Sequence, residues 1–246
     1  MKKFVTLVAM AAFCVSLAGN AFAGGDKADA GKGNAGNPGV APPQSMPYGM
    51  SYGEWSAEWW KYCMPMTLDV MPFARGTDGT IGQSGHVWFL GGSFTWPDNL
   101  VREITVPAGT ALFFPIFNVE CSTLETDGWG DPNWGEAELR AAANHWIDDV
   151  AFLPPPEGWG VQLYCRLNGV EMKNLMQYRC ETPLISITIP AMDSNLFWAP
   201  TTEPTPVLSV GDGFYIFLYP LPVGTHTLEF SGGDVHYTIH VVPDDR

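Results

Sequence analysis

The sequence predicts a mainly β fold: an antiparallel β-sandwich of immunoglobulin-like or jelly-roll type, carrying two short helices. Three observations carry this expectation. Short β-branched and aromatic runs recur along the chain, Gly, Pro and Asp punctuate them, and only two windows show an apolar period near 3.6 residues.

The first 23 residues read as a signal peptide. Lys2 and Lys3 precede an uncharged apolar run over 4–18, and Ala21-Phe22-Ala23 supplies the small-x-small pattern of a cleavage site. The run is shorter than the roughly 20 residues needed to span a bilayer, so no membrane insertion is expected once the leader is cleaved. No lipid-attachment cysteine follows Ala23, and the expected location is therefore secreted or periplasmic. Residues 24–45 are rich in Gly, Ala and Pro and have Val40 as their one bulky apolar residue, which predicts a flexible arm. A single domain is expected over 46–243.

Within that domain, Ser51 stands three residues before Glu54 as a capping box. Trp55, Trp59, Tyr62 and Cys63 follow on one helical face, predicting a helix over 53–63 that ends at Pro65. The runs 87–90, 101–106 and 110–117 predict strands, with Pro107-Ala108-Gly109 as a turn between the last two. Leu139, Ala142, Ala143, Trp146 and Val150 form a stripe that predicts a second helix over 134–149. Strand signals then return at 161–167 and 170–172, joined through Asn168-Gly169, a strong hairpin signal. Runs at 184–189, 214–219, 225–230 and 235–242 complete the expected meander.

Charge narrows the range of partners. The chain carries −14, and loss of the leader, which holds two Lys and no acid, moves this to −16. A protein of that sign without a basic stripe does not bind nucleic acid, whereas cations, neutral sugars and basic proteins remain compatible.

Four cysteines survive leader removal, an even count that reads as two disulfides in an oxidising compartment. Of the three pairings, Cys165 with Cys180 is favoured by nearness in sequence and Cys63 with Cys121 follows by elimination, although spacing alone leaves all three open. No pair has zinc-knuckle spacing. Cys63-Met64-Pro65-Met66, with Met46, Met50 and Met71 near by, also offers soft ligands of the kind Cu(I) selects, a reading that a disulfide at Cys63 would remove.

Several constellations invite chemistry. Gly82-Gln83-Ser84-Gly85-His86 fails as a nucleophile elbow, because His86 occupies the place of the second glycine. His226, His236 and His240 fail as one metal site. On a strand His236 and His240 lie about 13 Å apart, while His226 faces the other way, so a polar sheet face with a His236 to Glu229 contact is expected. The acidic loop from Glu120 to Glu138 is a calcium candidate, with Asp127, Asp131, Asn133 and Glu136 as oxygen donors. Trp129, Trp134 and Trp159 lie in Gly- or Pro-rich loops, where a flat indole either receives a sugar ring or packs inward. Trp55, Trp59 and Trp88 are assigned to the core.

Tyr52–Trp60 (YGEWSAEWW), Gly82–Gly92 (GQSGHVWFLGG) and Val106–Cys121 (VPAGTALFFPIFNVEC) resemble a family of exported prokaryotic proteins over about 47–242. That resemblance brings no activity and no catalytic residue with it. The closing DGFYIFLYPLPVGTHTLEF stretch is similar to the last strands of immunoglobulin-like surface modules and speaks to fold alone.

The expected function is an exported, non-catalytic binding or structural module that contacts carbohydrate or a surface protein through loop aromatics, with calcium ordering the acidic loop. One alternative is a glycan-active hydrolase or lyase using paired carboxylates from Glu120, Glu125, Asp127 and Asp131, which must lie about 5 to 9.5 Å apart across a cleft. The other is a self-assembling surface-layer or filament subunit.

Overall fold

A computed structural model describes residues 36, 37, 39–71, 78–92, 100–231 and 234–244. Residues 1–23, expected to be a signal peptide, lie outside them. Helix α1 (Tyr52–Cys63) precedes strands β1 (Val87–Phe89), β2 (Leu100–Pro107) and β3 (Ala111–Ser122). Helix α2 (Glu136–His145) runs on into a π-helical turn, Trp146–Ala151. Strands β4 (Cys165–Leu167), β5 (Val170–Glu171), β6 (Arg179–Glu181), β7 (Ile185–Ile189), β8 (Thr205–Leu218), β9 (Gly224–Phe230) and β10 (Val235–Val242) follow.

The strands form two five-stranded sheets, so the mainly β, sandwich-like class holds. Sheet I has the order β1-β3-β8-β6, with β7 also on β8, and sheet II the order β2-β10-β9-β4-β5. The antiparallel expectation needs one correction, since β1 pairs with β3 and β2 pairs with β10 in parallel. Pro107-Ala108-Gly109 is a turn, with Gly109 at φ 85°, but it passes the chain from sheet II to sheet I and forms no hairpin. β3 is buried along its whole length, which fits a central strand, while β2 alternates buried and exposed residues as a strand with one solvated face.

β3 and β8 form the spine of sheet I, antiparallel over Leu112–Ser122 with a bulge between Pro115 and Phe117. On one face, Phe113, Tyr215 and Phe217 receive the aromatic stripe of α1: Trp55 lies 5.6 Å from Phe217 and Trp59 lies 6.2 Å from Tyr215. The Trp60 indole donates to the Tyr215 hydroxyl at 3.1 Å, above Gly211. The other face meets sheet II through Phe114 and Phe230, at 4.8 Å, and the α2 segment through Phe152 and Phe214, at 5.7 Å. Sheet I is thus the middle layer.

Local signals land where the chain's chemistry put them. Ser51 and Glu54 form a complete capping box. The β4–β5 hairpin turns on Asn168 and Gly169, both at positive φ. His236 pairs with Glu229 in the β9–β10 register, and His240 bonds Glu103 at 2.7 Å.

Two expectations are corrected by packing. The flexible arm was drawn to residue 45, but Val40 and Ala41 are wholly buried. Ala41 donates its N–H to Phe217 O, and Asn37 bridges to Lys173 and Tyr178, so contacts with the domain extend back to Asn37. The disulfides are absent: Cys63, Cys121, Cys165 and Cys180 are all thiols. Cys165 sits beside Phe230 in sheet II while Cys180 sits beside Gly213 in sheet I. Cys180 shares the face of Gly213 and meets Ser56 of α1, so it points away from sheet II and from Cys165. Cys63 belongs to the helix covering one face of sheet I, and Cys121, next to Glu120 in the register, points to the opposite face.

Candidate functional site

Three of the four candidate calcium donors, Asp131, Asn133 and Glu136, are engaged with near neighbours. Asp131 Oδ1 closes an Asx turn by accepting from the backbone and side chain of Asn133, both at 2.8 Å. Glu136 pairs with Arg140 on α2, and Asp127 stands exposed at φ 58°. No group of three His, Cys, Asp or Glu side chains placed to hold a metal occurs among the described residues.

The three candidate platform tryptophans, Trp129, Trp134 and Trp159, are half-buried. Trp129, Trp146 and Trp159 form a parallel cluster with centroids 4.4, 5.5 and 6.0 Å apart, and Trp159 also meets Phe117. Trp134 packs on the core above the Asp131 turn. Trp55 and Trp88, assigned to the core, are half-buried against it, and Trp59 is fully buried.

Of the four candidate catalytic carboxylates, the structure brings two together. Glu120 on β3 and Glu125 in the following loop are hydrogen-bonded to each other. Ser209 Oγ donates to Glu120 Oε1, and Ser122 Oγ donates to Glu125 Oε2 at 3.1 Å. The loop reaches back this far because Ser122 N–H bonds Trp129 O, with Gly130 packed where a Cβ would lie 1.7 Å from Ser122 O. Burial dominates the pair's electrostatics. It pushes the Glu120 carboxyl up to about 7 and, with the Glu120 charge beside it, lifts Glu125 well above the usual carboxylate range. Two hollows, of about 340 and 580 Å³, indent the surface, and neither is lined by Glu120 or Glu125.

The best-built surface feature lies elsewhere, in the loop between β7 and β8. Among the described tryptophans only Trp198 is exposed, at 55%. Its backbone sits at φ 54°, a left-handed conformation uncommon for a bulky residue. The fully buried Asn195 holds it there. Asn195 Nδ2 donates to Ala199 O at 2.8 Å, and its Oδ1 accepts from the N–H groups of Phe197 and Ala199. Met192 and Thr201 close the loop's base as a two-way backbone pair.

The larger hollow belongs to the same loop. It is lined by 67–69 and 191–194, and so brings Asp69, Asp193, Thr67 and Ser194 together. The Thr67 hydroxyl holds the exposed Asp69 carboxyl below its ordinary range, keeping it ionised at neutral pH. A loop that carries an exposed indole and also lines a hollow with carboxylates and hydroxyls offers the two kinds of group that bind a polyol, a flat apolar face and hydrogen-bond partners. The sequence contained a signal for this loop, an aromatic pair between Asn195 and Pro200, but nothing in it marks Trp198 as left-handed and outward. No family model, curated protein or solved structure matches the chain.

Proposed function

We propose that the chain is an exported, non-catalytic β-sandwich module that binds neutral carbohydrate through the loop over 190–201. The observation that carries this reading is the outward Trp198, held by a buried asparagine on the loop that also lines the Asp69–Asp193 hollow. A loop stapled before its ligand arrives loses little freedom on binding. Strong negative charge suits a neutral glycan and disfavours polyanions.

The runner-up, a glycan-active enzyme with paired carboxylates, draws on the meeting of Glu120 and Glu125. Its weakness is that both acids are spent on each other and on two serines. A glycan array probed with the parent and with Trp198→Ala decides between these readings. The expected result is a glycan signal that Trp198→Ala abolishes, with Glu125→Gln leaving it unchanged. Release of reducing sugar that Glu125→Gln stops would favour the enzyme, and an array blank for the parent would discard the carbohydrate reading.

A further inference from the structure

Arg102 is the buried charge that the fold leaves unanswered. It lies on β2, at the end of sheet II, and only 7% of its surface is exposed. Its side chain reaches across to Gly91, just past β1, which is an end strand of sheet I. Arg102 therefore sits in the rim of the sandwich, where the terminal strands of both sheets meet.

Its contacts are few and neutral. Nη1 donates to the Tyr237 hydroxyl at 2.8 Å and reaches Gly91 O at 3.5 Å, and the guanidinium carbon lies 5.7 Å from the Tyr237 ring centroid. Tyr237 is itself fully engaged, since its hydroxyl donates to Gly91 O at 2.8 Å and accepts from Gly91 N–H as well. Nη2 has no hydrogen-bond partner at all, the one buried side-chain nitrogen or oxygen in that condition among the described residues. No carboxylate pairs with this arginine there, although the chain holds 26 acidic residues and only 12 basic ones. A buried guanidinium without a counter-ion is destabilising.

We infer that Arg102 is the receptor of an anion site at this rim, and that its ligand is a small planar carboxylate. The flat Nη2 edge matches a carboxylate in geometry and donates charge-assisted hydrogen bonds to it. Tyr237 and Gly91 fix the guanidinium through Nη1 and leave the enclosed Nη2 without a partner. The inference is independent of the Trp198 loop.

Thermal unfolding of the leader-free protein in sodium formate, against sodium chloride of equal ionic strength, tests it. Formate is expected to raise Tm beyond the chloride control, with saturation, and Arg102→Met is expected to abolish that increment. Sodium phosphate forms a second arm: a larger increment there than in formate would overturn the carboxylate assignment. Arg102→Lys keeps the charge but loses the fork, and is expected to weaken the apparent formate affinity at least tenfold. If Arg102→Met does not fold, this variant decides alone. Trp198→Ala must retain the whole effect. No formate-specific rise in the parent, or an equal rise in whichever Arg102 variants fold, would overturn the site.

Discussion

Glu120 and Glu125 are hydrogen-bonded to each other at the end of β3 and act as one acid pair. Burial lifts both carboxyls above an ordinary glutamate, and the hydrogen bond between them lets one proton serve the pair. Both folded values are raised, so the native state holds protons that the unfolded chain has lost. That contribution is intact below the unfolded value near 4.5 and fades as pH climbs through about 7 for Glu120 and further for Glu125. Urea unfolding is therefore expected to show greater stability at pH 5 than at pH 7.5, by on the order of 1–3 kcal/mol. Glu125→Gln keeps a donor facing Glu120 and removes one titration. It is expected to flatten the profile and to raise stability at pH 7.5, and a slope unchanged in this variant would refute the shared proton.

Trp60 lies directly on Gly211. A Cβ there would sit 2.3 Å from Trp60 Nε1, an approach only glycine permits. Gly211→Ala must displace an indole that is fully buried and already bonded to Tyr215. We expect a loss of about 1–3 kcal/mol, read as a lowered urea midpoint at unchanged m. Gly85→Ala makes a useful control, because nothing lies near its Cβ and its cost comes from φ 72° alone.

What the sequence disclosed was local, and what it withheld was long-range. The Ser51–Glu54 box, the Asn168-Gly169 hairpin and the His236 to Glu229 register each depend on neighbours a few residues away. Pro107-Ala108-Gly109 was equally visible as a turn, but the same three residues can close a hairpin or hand the chain to another sheet. Only the burial of β3 against that of β2 separates the two. Val40 looked isolated in a small-residue stretch, and its burial depends on Leu218, far along the chain. Glu120 and Glu125 were visible as acids, but their meeting required the fold-back at Gly130. Trp129 and Trp159 sit in Gly- or Pro-rich loops, where the sequence leaves a surface ring and a packed ring both open. They are covered because Trp146, on the helical stripe, brings a third indole to them.

The cysteines misled through their even count. Burial pushes the Cys121 and Cys165 thiols well above their ordinary range, and Cys180 up to about 12. Thiols so placed react slowly, because the thiolate is the nucleophile. A thiol reagent is thus expected to find little to label in the native leader-free protein and four equivalents after denaturation without reductant. Dithiothreitol should leave Tm unchanged. Two equivalents or fewer in the denatured chain would restore a disulfide.

Asp212 is the buried charge that does have an answer, and removing that answer should be costly. Its side chain is wholly buried on β8, and Arg179 on β6 reaches it with Nη2 at 2.6 Å while Nη1 holds Asp148 at 2.5 Å. Burial raises Asp212 more than the guanidinium lowers it, so the carboxylate depends on Arg179 to stay charged in place. Arg179→Met strands it. The expected loss at pH 7 is about 3–5 kcal/mol, the cost of breaking a buried pair from one side. Without the guanidinium the folded value of Asp212 climbs further, and protonation then favours the native state. The deficit must therefore shrink as pH falls towards the unfolded value, and urea unfolding at pH 7 and pH 4.5 measures this. Adding Asp212→Leu to Arg179→Met removes the stranded charge and should recover most of the stability at pH 7. A deficit independent of pH, or one that the second substitution fails to relieve, would show that Arg179 acts through packing and its Asp148 contact alone.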